Sequence, residues 1–149
     1  MALYYLDTSA LVKLYVRETG TDRLLQLQSR SPEDRFAVLA ISAVEARSAI
    51  RRRERAGDLD PSVAALILDR LQQNLDSTFL RQPLTDAVLD RAVEMIDRYP
   101  LRAYDAVQLA GCLALKAGAG GHSPTFVCSD QQLLAAAHSE LLPVLDPSR

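Results

Sequence analysis

The chain has 149 residues, 48% of them hydrophobic, which is the make-up of one globular domain, residues 1–149, with a sizeable core. A formal charge of −2 excludes a global basic field, so any contact with nucleic acid has to rest on a local patch. No basic stretch leads into an apolar one near the first residue, and no apolar run approaches the roughly 18 residues a membrane span needs, so the expected compartment is the cytoplasm.

The run Leu3–Leu6 reads as a first strand ending at Asp7. Thr8 and Ser9 then cap a helix over residues 10–16, and a second helix over 21–28 precedes the loop "SRSPED". "FAVLAI", residues 36–41, has the β-branched and aromatic content of a buried strand and stops at Ser42, where a helix with its body over 43–55 begins. Pro61 leads into another helix over 62–75, and the two make a helical hairpin. "TFLRQPL" is a short strand closed by Pro83. Thr85 opens an amphipathic helix that runs to Tyr99, Pro100 breaks it, and a further helix covers 102–116 with Ala106, Leu109, Ala110 and Leu113 on one face. "AGAGGHSP" is a flexible connection, "TFVC" a strand, and residues 130–138 a helix. "LLPVL" is a last strand, which Pro143 confines to the sheet edge.

Strands alternating with helices predict an α/β fold: an open, mostly parallel sheet of four to five strands, joined by right-handed crossovers, with helices on both faces. Ligands of such sheets bind outside the carboxyl ends of the strands. Asp7 lies at that edge, Glu45 follows the second strand by one helical turn, and Asp130 follows "TFVC" at another helix start. Asp105, in "RAYDAVQLA", opens a helix with no strand before it, so spacing alone does not bring it there.

Carboxylates gathered at one edge repel each other unless a cation lies between them. All-oxygen donors without His or Cys favour a hard ion, Mg²⁺ or Mn²⁺, and that chemistry suits phosphodiester hydrolysis. Each acid also has a plainer use. Ser42-Ala43-Val44-Glu45 matches a capping box, and Asp105 and Asp130 fit as first-turn or N-cap acids. Asp7, followed by Thr and Ser, is surplus to capping needs.

The ordered segments "YYLDTSALVKLY", "ISAVEARSAI", "LRAYDAVQLA" and "FVCSDQQLLAAAHSELLPVLDP" span almost the whole chain and resemble the PIN-domain ribonucleases, in particular the VapC-type toxins of VapBC-like toxin-antitoxin pairs. The resemblance implies a compact PIN-like domain whose acidic pocket holds Mg²⁺ or Mn²⁺ and cleaves single-stranded RNA or RNA loops. It also implies a homodimer and a cognate antitoxin whose C-terminal segment wraps the toxin. The family's acids fall on Asp7, Glu45, Asp105 and Asp130, as catalytic and metal-binding residues, with Ser9 supporting the first. One position departs: Cys128 stands where the family frequently has Thr, and a thiol is a poor substitute for a hydroxyl that orients a carboxylate.

Of the run Arg47, Arg51, Arg52, Arg53 and Arg55, the pair Arg47 and Arg51 is the expected phosphate track, with Arg102 beside Asp105 a further candidate; a solvated helix face is the alternative. His122 and His138 have no nucleophile or ligand set near them and read as surface residues. Cys112 and Cys128 read as buried thiols, and Leu66, Leu71, Val88, Ala92 and Met95 as core. An aspartyl-phosphate site would want a second acid beside or two after the first, and Thr8 and Ser9 stand there instead. A non-catalytic RNA- or antitoxin-binding module with a decayed acidic site is the non-enzymatic alternative.

Overall fold

Each short apolar run becomes a strand, and the segments of helical period between them cover the two faces of one sheet. A computed structural model describes residues 1–149. The strands are β1 (Leu3–Leu6), β2 (Arg35–Leu39), β3 (Leu80–Gln82), β4 (Thr125–Val127) and β5 (Val144–Leu145), all parallel, in the order β3-β2-β1-β4-β5. The helices are α1 (Thr8–Lys13), α2 (Thr21–Ser29), α3 (Ser42–Arg55), α4 (Pro61–Ser77), α5 (Asp86–Arg98), α6 (Ala103–Gly118) and α7 (Gln131–Ser139).

Alternation along the central strands builds two cores. Leu3 and Tyr5 of β1, Ala37 and Leu39 of β2, and Phe126 of β4 face α5, α6 and α7. Tyr4, Leu6, Phe36, Val38 and Val127 face α1 to α4. A sheet covered on both sides needs apolar residues at every position of its inner strands, which is why these runs show no polar alternation. The edges carry the exceptions. β3 is largely exposed, and β5 sits beyond Pro143, whose carbonyl accepts from Phe126 N at 2.8 Å while its missing N–H is not needed.

The architecture is the one the sequence predicts, with local corrections. The second strand ends at Leu39, because Ile41 already has helical angles (φ −66°, ψ −20°) as the residue leading into α3. Helix α1 starts at Thr8 and stops at Lys13 instead of covering 10–16. Leu66 is 71% exposed, since α4 turns Ala64, Leu68, Leu71 and Leu75 inward; Leu71, Val88, Ala92 and Met95 are core as expected. Cys112 and Cys128 are free and buried, and both histidines are exposed. No helix is long and apolar enough to cross a membrane.

Candidate active site

At the carboxyl edge of the sheet, β1 hands the chain directly to α1, and the hinge residue is Asp7. Its Oδ1 accepts the Ala10 N–H at 2.8 Å and the Ser9 hydroxyl at 2.8 Å, and Ser9 also lies 3.0 Å from Oδ2. Asp7 is therefore itself the helix N-cap, which corrects the reading that Thr8 and Ser9 cap the helix and leave the acid surplus. Ser9 does support this acid. Capping does not account for the burial of Asp7, however, which is only 6% exposed.

Asp105 reaches the same place from the first turn of α6. What brings it there is Gln108, one turn further on and 2% exposed. Its Nε2 donates to Thr8 Oγ1 at 3.1 Å and to Ser42 Oγ at 3.0 Å, and its Oε1 accepts the Tyr5 hydroxyl at 3.0 Å. One buried amide thus pins the start of α6 to the starts of α1 and α3. Asp130 caps α7, accepting Leu133 N–H at 3.0 Å, and is exposed. Asp7, Asp105, Asp130, Thr8, Ser9, Tyr104 and Gln108 together line a small cavity of about 210 Å³.

Glu45 is half-buried and lies next door, in a cleft of about 850 Å³ whose wall shares Thr8, Ser9 and Tyr104 with the small cavity. The capping-box reading fails. Ser42 lies inside α3, and its hydroxyl accepts from Thr8 at 3.1 Å and from Gln108 instead of capping. The Cys128 thiol lies 3.7 Å from the backbone oxygen of Asp130, so it contacts the main chain and not the carboxylate.

A model of the PIN domain matches residues 4–119, a span that contains Asp7, Glu45 and Asp105 and stops short of Asp130. The chain belongs to the PIN-domain family. It is 32% identical over 148 residues to Ribonuclease VapC35 of Mycobacterium tuberculosis, covering 99% of this chain and 98% of that protein, which places it with the VapC-type members. In fold it is similar to a toxin-antitoxin complex from Klebsiella pneumoniae (TM-score 0.64, 17% identity, 97% of each chain). It is likewise similar to PAE2754 from Pyrobaculum aerophilum (TM-score 0.64, 21% identity, 98% of this chain and 84% of that one).

Charge crowding distinguishes this PIN domain's acids from ordinary caps. Burial pushes the Asp7 carboxyl up to about 6, opposed by the Ala10 and Ser9 hydrogen bonds and by the Lys13 charge and reinforced by Asp105. Burial also raises Glu45, with Asp105 adding to it while the Gln108 and Thr8 side chains pull it back. Asp105 is raised by burial and then by Asp130, against Arg102, whose Nε lies 3.9 Å from Oδ2. Arg102 and Lys13 offset only part of this repulsion, and carboxylates still held above their usual range are a donor set that a hard divalent ion fits. No three acidic, His or Cys groups converge tightly enough in this structure to cage an ion alone. Mg²⁺ ordinarily takes one or two carboxylates and keeps several waters, and Asp7 and Asp105, which line one cavity, could supply them. Because Asp7 must release its proton to act as a donor, Mn²⁺ affinity measured by calorimetry is expected to fall roughly tenfold between about pH 7 and about pH 5. Equal affinity at both would separate the ion from Asp7.

Arg47 and Arg51 line neither cavity, and Arg51 is turned to Glu54 at 2.7 Å. Arg52 and Arg53 line the large cleft instead; Arg53 is paired with Glu18 at 2.6 Å, and Arg52 makes no ion pair. Helical phase could have shown this. Positions three, four, seven and eight after Glu45 share its face, which selects Ser48, Ala49, Arg52 and Arg53, whereas Arg47 lies two residues away and turns elsewhere. Gln108 carried a weaker signal: a polar residue among Ala106, Leu109 and Ala110, one turn after Asp105.

Proposed function

We propose that this protein is a metal-dependent endoribonuclease of the cytoplasm that cuts single-stranded RNA or RNA loops, and that it is the toxin of a toxin-antitoxin pair. The observation that supports this most is the small cavity, where three aspartates from three separate elements share one wall and two of them carry raised carboxyls. The VapC35 relative, named a ribonuclease, supports the activity, and the toxin-antitoxin complex of like fold supports an antitoxin partner.

In this reading Asp7 and Asp105 hold Mg²⁺ or Mn²⁺, with Asp130 and Glu45 acting across intervening waters. When bound, the ion activates a water for attack on phosphorus and offsets charge developing on the phosphate. The chain's own groups prepare that reaction. Ser9 and the Ala10 N–H fix the Asp7 carboxylate, and Gln108 fixes the starts of three helices relative to one another. Glu45, half-buried and raised in the adjoining cleft, would take a proton from the attacking water. Attack with loss of the 3′ oxygen leaves a 5′-phosphate and a 3′-hydroxyl. Purified protein should therefore cut RNA to those ends only with Mg²⁺ or Mn²⁺ present. Cleavage that survives EDTA, or that yields cyclic phosphate ends, would refute the assignment.

Phosphate contacts outside the acids fall to Arg52 and Arg102 in place of Arg47 and Arg51. Arg52→Ala is expected to weaken RNA binding several-fold and to flatten its salt dependence, while the double variant Arg47→Ala, Arg51→Ala binds like the parent. Filter binding across a salt series checks both. The homodimer is proposed on the exposed row Leu89, Val93 and Ile96 (44%, 60% and 42% exposed) along α5, the spacing of one helix face. Val93→Glu should shift the protein to monomer in sedimentation; unchanged mass would move the dimer face elsewhere.

A further inference from the structure

The chain has five Tyr, three Phe and no Trp, and seven of these eight rings are buried or half-buried. The exception is Tyr104, which is 50% exposed. It is also one of only three residues that line both the small acidic cavity and the large cleft; the other two, Thr8 and Ser9, are small. Its neighbours Asp105 and Ala106 are buried, so the backbone beneath the ring is anchored while the ring itself stands between the two spaces. The Arg102 guanidinium lies 5.3 Å from the ring centroid, a cation–π pair, and Val44, 69% exposed, lines the same cleft.

We propose that Tyr104 is the stacking platform for an unpaired nucleobase of the RNA, that of the nucleotide whose phosphate lies at Asp7 and Asp105. The inference rests on the endoribonuclease reading and adds to it the means by which unpaired RNA is chosen. An exposed ring flanked by cations is the arrangement single-strand binders use: the guanidinium groups follow the backbone, and the aromatic face takes a base of any identity. Here the acids stand on one side of the ring, and Arg52 stands in the cleft on the other. A base in duplex RNA is already stacked on its neighbours and paired, and offers no free face. Recognition at Tyr104 therefore selects for strandedness and only weakly for sequence. A protein partner could also seat an apolar anchor against this ring, but an anchor of that kind would need apolar bulk and not a π-face.

The test separates these uses. Binding is followed by fluorescence anisotropy of a short labelled single-stranded RNA, with Asp7→Asn as the background so that the strand stays intact. Adding Tyr104→Ala or Tyr104→Leu should weaken binding about tenfold, while Tyr104→Phe and Tyr104→Trp retain it. The same strand with abasic sites should bind the Asp7→Asn protein equally well whether or not Tyr104→Ala is added. Because the chain has no tryptophan, emission of the Tyr104→Trp variant reports on this site alone; it should be quenched by the base-bearing strand and not by the abasic one. Equal affinity of the Asp7→Asn protein for the base-bearing strand with and without Tyr104→Ala overturns the proposal, as does full binding by Tyr104→Leu or an equal loss on abasic RNA. If the parent protein cuts no RNA with Mg²⁺ or Mn²⁺ present, the endoribonuclease reading itself fails, which is a different result from binding that ignores Tyr104.

Discussion

Asp7→Asn is expected to cut RNA cleavage severely and at the same time to make the protein more stable. The two effects come from one cause. Asp7 is buried with its carboxyl raised to about 6 from the usual 3.8, chiefly by desolvation. A carboxylate whose folded value is raised favours the protonated form. Its contribution to stability is present below the unfolded value and is lost as the pH climbs from about 4 to about 6; near neutrality, holding the charge costs about 3 kcal/mol. Asn imitates the protonated form and keeps an oxygen for the Ala10 N–H, so most of that strain is relieved, a gain of about 1–3 kcal/mol and several degrees in Tm. It also removes the charge that holds the ion and should lower cleavage by roughly a hundred- to a thousandfold. Thermal melts at about pH 7.5 and about pH 4.5 check the cause, because the advantage of Asn should shrink at the acid value. Mg²⁺ or Mn²⁺ should raise the Tm of the parent at the higher pH and leave the Asn variant unmoved. A variant less stable than the parent at both pH values would reduce Asp7 to a helix cap.

How much of this is legible in the sequence depends on whether the signal is local. The parallel sheet and its flanking helices follow from short apolar runs separated by helical period, and Thr85, whose side chain accepts Val88 N–H at 3.2 Å, caps α5 where the sequence places it. Asp7 and Asp130 are visible because a strand end followed by a helix start is a local pattern. Asp105 is reached by resemblance only. What brings it in is a contact between residues 8, 42 and 108, which no window along the chain contains. The capping box at Ser42 is a false local signal: the same residue types satisfy a cap or a tertiary hydrogen bond, and the amide of Gln108 decides between them. The arginine track is misplaced for a different reason. Charge density runs along α3, whereas the phase set by buried Ser42, Ala46 and Ile50 determines which arginines share the face of Glu45.

The largest stability loss is expected from the smallest change, Gly111→Ala. In a helix interior this exchange ordinarily stabilises by up to about 1 kcal/mol. Here α6 lies so close to the sheet that an added Cβ would stand 2.5 Å from the Tyr5 hydroxyl oxygen and 2.9 Å from Leu39 Cδ1. Both side chains are fully buried, with no space to retreat into, so the sign reverses and a loss of about 2–3 kcal/mol, roughly 5–10 °C in Tm, is expected. The damage travels. Burial, reinforced by Cys112, Asp7 and Glu45, pushes the Tyr5 phenol well up, so it stays protonated and donates to Gln108. Displacing that hydroxyl loosens the amide that positions Thr8 and Ser42, and cleavage should fall even at temperatures where the variant is folded. Tyr5→Phe supplies the control. Alone it leaves Gln108 Oε1 unpaired at a cost of about 1–3 kcal/mol, but with Gly111→Ala it also removes the closest clash. Melts of the double variant should therefore show a smaller loss than the two single losses added, with Leu39 accounting for what remains. Strict additivity would mean that Gly111 and Tyr5 act on separate parts of the molecule, and that the close approach of α6 to β1 is not what sets the geometry of the acids.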